Sequence, residues 1–325
     1  MRRLRCSGPL IALLFSVLLS APRVGRGQQP ATEGALFLLL PIGARAVGAG
    51  QAVIADQPGS EALWWNPAAI AHSDRAEAAI HHSATIVATG DAVTIVLPSS
   101  LLGVLAIGAN ILNYGRQEIT DTVGTTGFLL PRNVVYAAAY ATPIGRRLSA
   151  GITYKVVQLR LDCSGGCSGI PTVSASSSAL DAGMQADLTG IAPVHLGAAI
   201  RNVGPRLLVN DKDQADPLPT RIQFGATYDV PNIAKDVALR AETDVLGDVH
   251  LNGPSLRIGA TATYKKQAYL RGGYLMDRGD GDGDGPAIGF GLSTGNLIVD
   301  IARIMRGFSA DAGKAPTYFS LRYLF

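Results

Sequence analysis

The chain has 325 residues, 47% of them apolar and only 16% charged, with 38 glycines and a formal net charge of +3. Five arginines and no acid lie within the first 27 residues, so loss of that stretch takes the net charge from +3 to −2. A chain of that charge lacks the clustered basic surface that nucleic-acid binding calls for, and no Ser/His/Asp, Cys/His, phosphate-loop or paired-carboxylate constellation points to an enzyme.

Residues 1–27 read as a secretory signal peptide. Arg2, Arg3 and Arg5 precede an uncharged run centred on LIALLFSVLLSA, and small residues follow, with cleavage expected after Ala21 or Gly27. The apolar core is too short for a spanning helix. Cys6 stands before that core, where a lipoprotein signal would have its cysteine after it.

Residues 28–75 show no alternation and are rich in glycine and alanine, as in GARAVGAGQAVIAD. A short helix is expected after Ser60 as its N-cap. The only two tryptophans, Trp64 and Trp65, follow at once and run into Asn66, Pro67 and Ala68. Tryptophan is enriched at membrane interfaces, but this segment is no membrane strand, so packing inside the protein is the favoured reading. Asn66 would bond backbone and Pro67 would fix the chain as it leaves the helix. A gating role is the second reading.

From residue 76 the period is 2, which indicates strands. In RIQFGATYDV, residues 221–230, Ile222, Phe224, Ala226, Tyr228 and Val230 oppose Arg221, Gln223, Gly225, Thr227 and Asp229. Fourteen such segments are expected, near 76–88, 91–98, 102–113, 132–141, 147–161, 178–189, 193–203, 220–230, 236–245, 255–264, 267–275, 286–294, 296–305 and 316–325. Apart from the first connection, around Thr89 and Gly90, which is also short, short connections alternate with long ones at 114–131, 163–177, 204–219, 246–254, 277–285 and 307–315. That parity, strands of about ten residues and one apolar face describe an outer-membrane β-barrel with short periplasmic turns and longer outer loops. Every backbone group must be paired in lipid, so the antiparallel sheet must close. Fourteen strands would enclose a sizeable lumen, and residues 28–75 are a natural plug for it. The expected fold class is therefore all-β, a closed antiparallel transmembrane barrel of about 14 strands over residues 76–325 with a hatch inside.

Arg201, Arg221, Arg240, Glu242, Asp244, Arg257 and Arg271 fall on faces assigned to the lumen, where a polar wall touching plug and water is expected. His81 and His82 are neighbours on one strand and so point to opposite faces, and His195 stands alone. Cys163 and Cys167, in CSGGCSG, are a close pair in an exported chain and suggest a small loop disulfide. Asp280, Asp282 and Asp284 have the spacing of half a calcium loop. The twelfth position is Gly291 and not Glu, so the full motif is missing and a solvated loop is the plainer reading. Otherwise no cofactor is expected. The final strand carries Phe319, Leu321, Tyr323 and Phe325 on one face, similar to the assembly signal that the barrel-assembly machinery reads.

GARAVGAGQAVIAD followed by WWNPAAIA resembles the opening motif of the PorV/PorQ family, a branch of FadL-like outer-membrane proteins. The order continues with SSSALDAGMQADL, VHLGAAIRNVGP, LPTRIQFGATY, LRGGY and LRYLF. Asn66, Pro67 and Ala68 also resemble the FadL hatch, and Gly43, Ala44 and Arg45 open the hatch motif. The resemblance implies a fourteen-stranded barrel in bacterial outer-membrane lipid, with an N-terminal hatch and neither enzymatic activity nor cofactor. Two functions come with it: a type IX-like secretion component that binds exported cargo proteins, which the motif order puts first, or a channel for hydrophobic compounds such as long-chain fatty acids.

Overall fold

A computed structural model describes residues 33–56, 59–167, 173–208, 215–248, 254–276, 285–306 and 313–325. The signal-peptide reading and the Asp280, Asp282 and Asp284 loop lie outside these residues. Among them, the strands in chain order are β1 (Glu77–Ala84), β2 (Thr89–Ser99), β3 (Gly103–Asn113), β4 (Gln117–Thr120) and β5 (Thr125–Ile144). Then come β6 (Leu148–Gly165), β7 (Val173–Asp187), β8 (Val194–Val203), β9 (Arg221–Ala234) and β10 (Val237–Asp248). The last are β11 (Ser255–Tyr264), β12 (Ala268–Met276), β13 (Gly285–Thr294), β14 (Leu297–Ile304) and β15 (Thr317–Leu324).

Each strand pairs antiparallel with its neighbours, β1 pairs with β15, and β3 pairs with β5, which closes the ring. The strand β4 pairs only with β5, as a flap on the rim, so fourteen strands make the wall. Closure leaves no edge unpaired among the wall strands, the condition for crossing lipid.

The faces are reversed relative to a soluble protein. Ile80, Val93, Ile107, Phe224, Leu270 and Phe290 are exposed on the outside, while Thr94, Thr153, Gln223, Asp300 and Ser320 are buried within. An apolar belt outside and a polar lumen are what an outer-membrane barrel needs. No described helix is long and apolar enough to cross a membrane.

Three sequence expectations need correction. The supposed loops at 114–131 and 163–177 are partly strand, because β5, β6 and β7 run on past the apolar alternation and keep their ladder pairing; backbone pairing above the lipid needs no apolar face. Cys163 therefore lies in β6, bonded to Cys167 with a Cα separation of 6.1 Å. The PNIA stretch read as a turn after residue 230 belongs to β9, which ends at Ala234 with a register shift opposite β10. Ser60 caps nothing: it sits in a 3-10 turn, Gly59–Glu61, and its hydroxyl donates to Glu77, while the helix Ala62–Trp65 has Glu61 at its cap position.

Candidate functional site

Residues 33–56 and 59–75 form short helices joined by irregular backbone, packed on the inner faces of the barrel strands. Helix Ala44–Gly48 lies on β12 to β15, and the 3-10 helix Pro67–His72 lies on β5, β6 and β7. Irregular backbone in a lumen must find hydrogen bonds outside itself, and here the wall supplies them. Asp244 accepts from the Val53 and Ile54 N–H groups at 2.8 and 3.0 Å. Gln185 donates to the Ile54 and Asp56 carbonyls at 2.9 and 2.8 Å. Asn66 donates to the Ile54 carbonyl at 2.7 Å, and its Oδ1 accepts from Ala68 N–H at 3.1 Å.

The wall makes room for that backbone with glycines. Gly151 and Gly183 are cross-strand partners, and a Cβ on either would strike Pro67 or Asn66. Gly197 and Gly225 are likewise paired and seat Ile54, while the pair Gly259 and Gly273 seats Ala49 and Gly50.

The lumen has two unlike sides. On one, Val53, Leu63, Trp64, Trp65 and Ile70 pack against Val96, Val104, Ala137, Ala139 and Val157 of β2, β3, β5 and β6. Burying Leu63 or Ile70 in this way contributes about 2 kcal/mol each. On the other, charges run in chains. Arg45 pairs with Asp56 at 2.6 Å, Asp56 with Arg240 at 2.7 Å, and Arg240 with Asp229 at 2.6 Å. Arg271 and Arg322 share Asp300 at 2.6 and 3.2 Å. Arg221 binds Glu33 and Asp248, each at 2.8 Å, Arg257 donates to Gln51, and Glu242 accepts from Thr261 at 3.1 Å. Of the residues assigned to the lumen, Arg221, Arg240, Asp244 and Arg257 thus reach plug groups, while Glu242 and Arg271 bond to neighbouring wall residues. His195 does not stand alone: its Nε2 lies 3.3 Å from Asp229.

Within the plug, burial pushes the Glu61 carboxyl up to about 7, against the pull of Arg322 and with a push from Asp300. Its oxygens accept from the Arg45 and Ala46 N–H groups at 3.3 and 2.9 Å. Gly43, at φ 98°, leaves the space that the Glu61 side chain fills, and Ala44 N–H donates to Ser320 at 2.8 Å.

Both indoles are buried. Trp64 Nε1 donates to Thr94 at 3.0 Å and Trp65 Nε1 to the Ile42 carbonyl at 2.9 Å. Beside them lies a narrow cleft, lined from the plug by Phe37, Leu38, Leu40, Ile42 and the two tryptophans, and from the wall by Asn110, Val135, Lys155 and Arg201. Lys155 is held by Asp181 at 2.5 Å and donates to Asn202 at 3.0 Å. Arg201 is different. It donates to the Trp64 carbonyl at 3.1 Å and lies 5.1 Å from the Trp65 ring centroid, its Nε is unbonded, and among the described residues no carboxylate pairs with it. A cleft with apolar plug side chains on one side and a guanidinium on the other has groups for an alkyl chain and an anionic head.

Sequence reasoning singled out Arg201 and both tryptophans but not Lys155, Asp181 or Asn110. Applying to β3, β6 and β7 the inward parity used for later strands would have found them. Phe319 and Tyr323 are exposed on the outer face of β15, with Leu321 half-buried between them, and Phe325 is exposed just past the end of the strand. Among the described residues no cluster of three or more metal-ligating side chains occurs.

No protein-family model matches the sequence, and no curated protein matches it. Solved structures do match in shape. The toluene transporter TbuX of Ralstonia pickettii aligns with a TM-score of 0.54 at 15% identity, over 87% of this chain and 98% of that one. The CymD monoaromatic hydrocarbon channel gives 0.58 at 12% identity, over 90% and 99%. A Pseudomonas aeruginosa FadL homologue gives 0.54 at 12% identity, over 88% and 98%. These neighbours are transporters and channels, not enzymes. The chain therefore has the fold of the FadL-type outer-membrane barrels, a closed antiparallel sheet of fourteen strands.

Proposed function

We propose that this barrel is a FadL-like channel for hydrophobic compounds, with preference for those that carry an anionic head, such as an alkyl carboxylate. The observation that carries the reading is the cleft between plug and wall, apolar along the Phe37 to Ile42 stretch and the two indoles, with Arg201 buried beside it. Arg201 has no carboxylate partner among the described residues, so a bound carboxylate would supply one. The carboxylates of Asp181 and Asp244 act on Arg201 only from beyond ion-pair distance, so a ligand carboxylate in direct contact would gain from the buried cation. The hydrocarbon transport named for TbuX and CymD supports a hydrophobic cargo.

The PorV/PorQ-type secretion role, which the motif order put first, finds no support among the structures of similar fold. Purification from native outer membranes after mild crosslinking separates the two readings. Recovery of stoichiometric alkyl carboxylate by mass spectrometry is the expected outcome. Recovery of exported proteins with no bound amphiphile would reverse the order.

A further inference from the structure

A second, smaller cleft shares two lining residues, Ile42 and Asn110, with the first. Its polar lining includes His81, which points inward from β1 and is 3% exposed. His81 Nδ1 is 2.8 Å from the Ser320 hydroxyl, whose oxygen also accepts the plug's Ala44 N–H. That bond fixes the ring, and Nε2 is left buried without a partner. Asn110, on β3, is 6% exposed and lines both clefts.

A buried ring nitrogen without a partner costs free energy unless something satisfies it, and the Asn110 amide lines the same cleft. The ring nitrogen donates or accepts according to tautomer, and the amide does both. A hydroxyl, itself donor and acceptor, complements this pair in either tautomer, whereas a plain methylene leaves the His81 Nε2 unpaired.

We infer that His81 and Asn110 form a subsite for a hydroxyl group on the hydrophobic molecule held between plug and wall, so that the cargo class is a hydroxylated alkyl carboxylate. The inference rests on the pocket reading above: the anionic head sits at Arg201, and the hydroxyl sits further along the chain, past Ile42. Elsewhere in an apolar cleft a hydroxyl weakens binding, because it loses its water. A preference for the hydroxylated ligand therefore requires partners.

The two tryptophans are the only ones in the chain and both line the cleft, so emission from the full-length barrel in lipid nanodiscs reports on it directly. The probes are alkanoates of ten, twelve and fourteen carbons, each with and without a terminal hydroxyl. For at least one length the hydroxylated member should bind about fivefold more tightly, the gain from one or two net hydrogen bonds. That ratio should fall to about one or below in His81→Phe and, separately, in Asn110→Leu. Should one variant fail to fold, the other and the unmodified barrel still decide. Equal or weaker binding of every hydroxylated probe by the unmodified barrel overturns the subsite alone, as does a preference that survives in both variants. Absence of binding by all probes overturns both the subsite and the pocket reading.

Discussion

Glu61 shows how a single buried carboxyl ties the plug's stability to pH. It is wholly buried, and burial lifts its folded value to about 7 from an ordinary 4.5. The docked plug therefore holds a proton between those values that an undocked Glu61 would release, and docking is favoured most below about 4.5 and weakens as pH rises through 7. Limited proteolysis of residues 33–75 should become faster across that interval, and Glu61→Gln should flatten the dependence. Little of this could be seen in the sequence. Glu61 precedes ALWW and looks like ordinary helix-entry chemistry; only the fold brings Arg322 and Asp300 near it. Asn66 was more legible, because Asn followed by Pro already signals a side chain bonding backbone where a helix ends, and Asn66 does so at Ile54 and Ala68.

At the scale of elements, the plug is seated by paired glycines rather than by shape alone. Gly273 on β12 leaves space for the Ala49 and Gly50 backbone, and Gly259 does the same from β11. Gly273→Val would put two methyl groups where the plug chain runs, and overpacking of this kind costs about 1–3 kcal/mol. The expected result is faster proteolysis of the plug with an unchanged barrel, seen as the same heat-dependent shift of mobility on a gel; full protection of the plug would contradict the seating. Alternation and loop parity made the strand order readable. What they hid were the extra lengths of β5, β6 and β7, because those parts are paired above the lipid, where no periodicity of apolar residues is demanded. The glycine pairs were visible as letters, yet their pairing depends on register, which alternation does not supply.

For the whole molecule, the lumen is divided between an apolar side and an ionic side, and the cleft lies where they meet. Leu63, Trp64 and Ile70 press on β2 to β6, while Arg45 and Asp56 join the charge chains of the later strands. Lys155 and Arg201 stand at the border, on β6 and β8, and place positive charge beside an apolar groove. The closed outer belt was legible from the sequence because lipid imposes period 2 on every strand. The cleft was not, since it is built from a non-periodic plug segment and wall residues far apart in the chain.

The central claim is that this cleft holds the hydrophobic part of an anionic amphiphile. Quenching of the two-tryptophan emission by 12-bromododecanoate, with the barrel in nanodiscs, tests it most directly, because bromine quenches only on contact and both indoles are shielded from bilayer lipid. The account predicts saturable quenching that excess dodecanoate reverses and that Arg201→Met weakens several-fold. Emission unaffected by the brominated probe, or quenching that unbrominated dodecanoate cannot displace, would contradict it.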